Sequence, residues 1–326
     1  MLRTLPCLTA LALVLAACSG GGGGDSGGTP GGTTSGGAPT TTGGTTTTGG
    51  TTTTTGGTGT TTTGGTGTTT TGGTTTTTGG TTTGGTTTPT LSQAISAGGG
   101  AAFDAQNAQG GGTVGLTVGT DGGLAFTRSR GALAFGTDAR SDQGDGFFIY
   151  ENQTSNAVAT FSQPGNPLDY TAFGFWAVVN PAQTGNGTVT LSDAGSFFGG
   201  VRTASTAVPT TGTAGYAGKA AALAYGSDLK ASVLDGGFVA SADFAAHTLS
   251  GTATLSDQTG AAWGTVQTGT LSITGGGFSG SGATSSLGHT GNANGRFFGP
   301  AADEIGGAFS LTGPSTVKGS FGAAAQ

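Results

Sequence analysis

Charge is scarce in this sequence. Asp, Glu, Lys and Arg make up only 7 % of its 326 residues, where roughly a quarter is usual for a soluble chain. Nine Lys and Arg stand against fifteen Asp and Glu, a net charge of −6. With no basic footprint to displace counterions from phosphate, a nucleic-acid partner is excluded. The only two cysteines, Cys7 and Cys18, fall at the very start, so the chain beyond them has neither a disulfide nor a thiolate metal site. Its stability must come from packing and strand pairing. Of the two histidines, His247 reads as a tight turn and His289 as a Gly/Asn loop. Neither has a second ligand-type residue at metal spacing, so both are expected on surface loops.

What is abundant is glycine, 72 residues of it, unevenly placed. Before Phe103 the only charged side chains are Arg3 and Asp25, so the folded part is expected to begin near there. Residues 1–17 read as a signal peptide: a basic start at Arg3, an apolar stretch over Leu8–Leu15 and small residues before a cut. The stretch is too short for a membrane span, which needs about 18 or more apolar residues. Its ending, Leu15-Ala16-Ala17-Cys18, resembles the bacterial lipobox, which implies that Cys18 is the acylated anchor. Ser19 in place of aspartate implies the outer membrane rather than the inner. Several acyl chains on one residue hold a protein stably where one alone binds marginally.

Residues 18–90 are almost wholly Gly and Thr with Pro30, Pro39 and Pro89. They offer no apolar surface to offset the entropy of ordering, and read as a disordered tether. A flexible chain of about 70 residues reaches about 45 Å on average. Inside it, Gly24-Asp25-Ser26-Gly27-Gly28 matches a chymotrypsin-type nucleophile motif by chance: that family's histidine lies upstream of the serine, and both histidines here lie far downstream.

Residues 91–167 read as a small antiparallel sheet. Val114, Leu116 and Val118 alternate, Asp121-Gly122-Gly123 turns, Leu124-Ala125-Phe126 returns, and Leu133, Phe135 and Phe147–Tyr150 continue the pattern. Residues 168–326 read as a barrel. It opens on the apolar run Tyr170–Asn180 and turns at Asn186-Gly187. A hairpin follows, with Phe238, Ala240, Ala242 and Phe244 matched to Leu249, Gly251, Ala253 and Leu255 while Thr248, Ser250, Thr252 and Thr254 face outward. A closing hairpin puts Ile305, Gly307, Phe309 and Leu311 on one face, then, past Gly313-Pro314-Ser315, Val317, Gly319 and Phe321, with Lys318 and Ser320 opposite. Small residues alternating with large apolar ones suit a small closed barrel.

No catalytic constellation assembles. Asp138, Asp142 and Asp145 share a glycine-bearing loop but lack the spacing and terminal glutamate of a calcium loop. Asp303 and Glu304 are adjacent and point to opposite faces when extended, so they are no acid/base pair. Arg296 is the expected partner of Glu304. The expectation is a protein without enzymatic activity, cofactor or metal.

The phrase Phe297-Phe298-Gly299-Pro300, the Ala-rich step to Glu304, Gly306-Gly307 with its aromatic, and Gly319-Ser320-Phe321-Gly322-Ala323 resemble the last two barrel strands of the transferrin-binding protein B family. The stretch Pro209 to Gly226, with Gly212-Thr213-Ala214 and Tyr216-Ala217-Gly218, is similar to that family's corresponding phrase. The resemblance implies an all-β fold, an antiparallel eight-stranded up-and-down barrel preceded by a handle-like sheet, with Glu304 structural. It implies a surface-exposed outer-membrane lipoprotein, bound to the membrane through its lipid anchor only, that binds a solute or an iron- or haem-carrying extracellular protein and presents it to a TonB-dependent outer-membrane receptor. It also implies a surface lipoprotein translocation factor. A structural or adhesive surface lipoprotein without a solute ligand is the alternative. A single barrel with short, weakly charged loops departs from the two-lobed type and argues against transferrin itself as the ligand. No ligand-binding residue is assigned by sequence.

Overall fold

The computed structural model describes residues 88–107, 114–142, 146–180, 190–228 and 230–326. The signal segment, Cys18, all but the last residues of the tether, Asp145 and the Asn186-Gly187 turn lie outside the described residues.

The described chain opens with a helix that the sequence reading passed over, α1 (Leu91–Ser96). Thr90 and Gln93 cap it reciprocally: the Thr90 hydroxyl accepts from the Gln93 amide and the Gln93 side chain accepts from the Thr90 amide. Strands β1 (Ala102–Asn107), β2 (Gly115–Val118), β3 (Leu124–Thr127), β4 (Leu133–Phe135), β5 (Arg140–Asp142), β6 (Phe147–Asn152), β7 (Ala157–Ser162), β8 (Thr171–Val179) and β9 (Leu191–Gly200) follow. Strands β2, β3 and β4 make a three-stranded sheet, and the others a six-stranded sheet in the order β1-β9-β8-β7-β6-β5. The Asp121–Gly123 turn forms as expected, with Gly122 at φ 87° and the Asp121 carboxylate accepting from the Gly123 amide.

The barrel is built from β10 (Thr213–Tyr225), β11 (Ala231–Asp243), β12 (Thr248–Asp257), β13 (Ala262–Gln267), β14 (Leu271–Thr274), β15 (Gly277–Ser285), β16 (Thr290–Phe298), β17 (Glu304–Thr312) and β18 (Thr316–Ala325). Strands β13 and β14 are two pieces of one wall position between β12 and β15, which leaves eight positions around a closed antiparallel wall. β18 pairs back onto β10 from Tyr225↔Thr316 to Tyr216↔Ala325. The expected eight-stranded barrel is thus present, but it begins at Thr213. The run Tyr170–Asn180, expected to open the barrel, instead gives β8, whose ladder partners are β7 and β9 of the six-stranded sheet.

Burial explains that run. β8 lies in a middle layer and is apolar on both faces. Ala172 and Trp176 pack with Leu124, Phe126, Leu133 and Phe135 of the three-stranded sheet. Phe173, Phe175 and Val179 pack with Ala221, Leu223 and Ala308 on the outside of the barrel. A strand covered on both sides loses the period-2 signature and reads as a continuous apolar run. The same contact buries Ser320, expected on a polar outer face: it is fully buried and its hydroxyl donates to the Gly174 carbonyl at 2.8 Å.

Inside the barrel the predicted faces hold. Phe238, Ala242, Phe244, Leu249, Ala253, Leu255, Ile305, Phe309, Leu311, Val317 and Phe321 form one core. Cross-strand pairing sets Phe278 opposite Gly295, Phe309 opposite Gly319 and Phe321 opposite Gly307. Each ring lies so close over its glycine that a Cβ there would collide with it. Bare backbone on one strand thus makes room for a ring from the next, and a narrow barrel can hold several aromatics.

Candidate ligand-binding groove

The barrel interior is no ligand chamber. Its rings run in contact across the lumen: Phe238 stacks on Phe321 at 4.1 Å between centroids, Phe278 meets Phe297 edge-on at 5.3 Å, and Phe244 and Tyr216 reach Phe297 at 5.7 and 6.5 Å. At one end the connection from Gly200 to Thr213 crosses the mouth: Val208 joins the core, the Thr203 amide donates to the Phe297 carbonyl, and the Thr203 hydroxyl donates to the Gly299 carbonyl. With the lumen filled by side chains, what is left for a ligand is the outer surface.

His289 is not the exposed loop residue that its Gly/Asn surroundings imply. It is 2 % exposed, with Nδ1 2.7 Å from the Ser285 hydroxyl and Nε2 2.8 Å from the Ser315 hydroxyl, which ties the β15–β16 turn to the β17–β18 turn. Its ring lies against Trp263 at 5.7 Å. Burial holds the imidazole below its ordinary pKa of 6.5. A depressed value means that His289 contributes stability above pH 6.5, lost as pH falls through the folded value. Thermal midpoints should therefore drop on acidification below pH 6.5 more in the wild type than in His289→Gln, as calorimetry on both can check. His247 does lie in the expected turn, in the left-handed region at φ 55° between β11 and β12.

Glu304 departs from expectation in its partner. Its carboxylate is 4 % exposed and accepts from the Asp169 amide at 2.6 Å and the Tyr170 amide at 3.0 Å, which fastens the chain entering β8 to the start of β17. Arg296 is not involved. Burial raises the Glu304 pKa, partly offset by the two amide donors. A raised value means stability present below about 4.5, the unfolded carboxyl value, and lost as pH rises through the folded one. Glu304→Gln turns an amide donor toward a backbone N–H and is expected to cost about 1–3 kcal/mol. Urea unfolding at several pH values should show that deficit narrowing as pH rises. Asp303, as expected, faces elsewhere, its Oδ2 accepting from the Ala301 amide. Asp138 and Asp142 lie at the start of a 3-10 turn and in β5.

Arg296 pairs instead with Asp104. One Asp104 oxygen, Oδ2, accepts from Arg202 Nη2 at 2.9 Å and from Arg296 Nε at 3.0 Å. Asp104 comes from β1, the edge of the six-stranded sheet; Arg202 follows β9; Arg296 is on β16. The triad stands over a groove of about 480 Å³ between that edge and strands β14 to β16, lined among others by Phe198, Ser272, Thr274, Ser279, Asn294 and Arg296. Two guanidiniums on one carboxylate leave an excess positive charge there, in a chain whose net charge is negative. Sequence reasoning missed the triad because its members are about 100 and 200 residues apart, beyond any spacing rule. The usable signal was the scarcity of charge, which makes each arginine beside a strand worth placing.

No curated protein matches the sequence. Among solved structures, the chain is similar to intact Ap-TbpB with its N and C lobes, at 20 % identity over 69 % of this chain and 46 % of that one, TM-score 0.47. It is similar to HpuA from Kingella denitrificans in complex with human haemoglobin, at 20 % identity over 69 % of this chain and 87 % of that one, TM-score 0.45. It is also similar to the isotype 1 transferrin-binding protein B of serogroup B Neisseria meningitidis, at 21 % identity over 69 % and 43 %, TM-score 0.44. The chain spans less than half the length of both transferrin-binding proteins. Residues 208–325 match the family described as the C-lobe and N-lobe beta barrels of Tf-binding protein B. That match takes in every strand from β10 to β18, so the likeness to the transferrin-binding protein B β-barrels is carried by the barrel of this chain.

Proposed function

We propose that the chain is a non-enzymatic, surface-exposed lipoprotein of the outer membrane, anchored through Cys18, that binds an iron- or haem-carrying protein on the outside of its scaffold and presents it to a TonB-dependent receptor. The observation that carries this reading is a barrel that matches the model of the transferrin-binding protein B barrels and whose lumen is filled with side chains. A solid barrel cannot enclose a small solute, so binding falls to loops and grooves, which suit a macromolecular ligand. The named relatives support the ligand class: one is a structure with human haemoglobin, and two are transferrin-binding proteins. Delivery to the outer face requires a surface lipoprotein translocation factor.

Protease shaving of intact cells, followed by pull-down from spent medium and outer-membrane extract with the full chain, tests the reading. Release of the folded domain together with enrichment of a haem or iron carrier, or of a TonB-dependent receptor, supports it. A domain protected until the outer membrane is broken faces the periplasm and sinks it. Release with no such partner leaves the structural or adhesive lipoprotein as the better account. Cys18→Ser should abolish labelling by a fatty-acid probe and move the protein from the membrane to the soluble fraction.

A further inference from the structure

We propose that the groove between the β1 edge and the barrel binds a small hydroxycarboxylate monoanion, a sugar acid or similar compound, with its carboxylate on Arg296 and its hydroxyls on the serine and threonine side chains of β14 and β15. The site stands independently of whether the domain captures a carrier protein.

The charge argument comes first. Only nine residues of the sequence are Lys or Arg, and two of them converge on one Asp104 oxygen. Arg296 gives Asp104 only its Nε. Its two terminal nitrogens have no hydrogen bond among the described residues, and the side chain lines the groove. A planar fork with open N–H groups is the geometry that grips a carboxylate bidentately. The excess charge is a single one, which suits a monoanion better than a polyphosphate.

The lining sets the rest of the ligand. Ser272, Thr274 and Ser279 are exposed around the groove, and their hydroxyls have no hydrogen-bond partner among the described residues. Each both donates and accepts, as a ligand hydroxyl does. Phe198 and Phe103 give the groove its apolar part. Its volume of about 480 Å³ lies within the roughly 300–1,000 Å³ of small-molecule sites.

Calorimetric titration of the full chain at low salt with glucuronate, with glucose as the uncharged control and butyrate as the carboxylate without hydroxyls, tests the site. Saturable binding of glucuronate is expected, with neither control matching it. Arg296→Gln should weaken binding about tenfold or more, the loss of one charge-assisted contact. Asp104→Asn separates a ligand site from a mere staple. If the guanidiniums serve a ligand, removing their shared carboxylate tightens glucuronate binding several-fold even as it loosens the fold. If they serve only to hold β1 to the barrel, stability falls and affinity does not rise. The methyl glycoside of glucuronate tells the source: equal binding indicates the acidic end of a glycan, and binding of the free acid alone indicates a free hydroxy acid. Absence of glucuronate binding by the wild type, or binding unchanged by both variants, overturns the proposal.

Discussion

Phe321→Ala is expected to lower the unfolding free energy by about 3–5 kcal/mol, the usual cost of deleting a buried aromatic. Phe321 is fully buried and stacks on Phe238 at 4.1 Å, with Phe278 beyond it at 6.5 Å. Opposite it stands Gly307, which has no side chain to move into the space. Collapse would require the wall itself to bend, but its strands are hydrogen-bonded on both sides around a closed ring. The lumen is also filled and lined by apolar side chains, so water gains little by entering. The cost should therefore fall at the upper end of the range, where surroundings relax least. The control is Val239→Ala on the outside of the same wall, where Val239 is 58 % exposed; it should change stability by no more than about 0.5 kcal/mol. Urea unfolding of the full chain reads both, and a lowered midpoint with unchanged slope is the signature of lost stability rather than a changed unfolded state.

The second large effect lies between the two sheets that precede the barrel. Arg128, just after β3, reaches Asp193 on β9 at 2.8 Å, and their side chains are 9 % and 3 % exposed. The guanidinium also lies 5.2 Å from the centre of the Trp176 ring, and its Nε donates to the Gly131 carbonyl. Arg128→Met keeps much of the side chain's length but removes the charge, leaving the Asp193 carboxylate buried without its cationic partner while the Ala194 amide still donates to it. Breaking such a pair on one side is expected to cost about 3–5 kcal/mol. Replacing both, Arg128→Met with Asp193→Leu, should recover most of that loss, because no charge is then stranded. A double-mutant cycle by denaturant titration measures the coupling. If the single and double variants are equally unstable, Arg128 acts by packing on Trp176 and not by its charge.

The sequence was most readable where one face of a strand is covered. The hairpin β11–β12 alternates because its inner residues meet the core and its outer ones are mostly open to water, and β17–β18 keeps the same alternation of small polar and large apolar residues although the sheet covers much of its outer face. It was least readable where a third layer intervenes. β8 lost its alternation because both faces are buried, and Ser320, polar by composition, is buried because the sheet lies over it. His289 reads as a loop residue from its neighbours, but its ring is buried against Trp263 between the Ser285 and Ser315 hydroxyls. The groove shows the same limit: Arg296 and Glu304 are close in sequence, and each found its partner on a distant element because barrel and sheet meet there.

The pairing of β10 with β18 has a consequence for how the domain comes to exist. Those strands lie about 100 residues apart in sequence, so the contact that closes the ring is among the least local in the molecule, and such contacts form slowly. Until residues 316–325 are available to pair, β10 presents an open edge and the Phe238–Phe321 stack cannot form. The domain thus has an interval in which it is made but not shut. Any carrier that must move this chain while it is still pliable has to act within that interval.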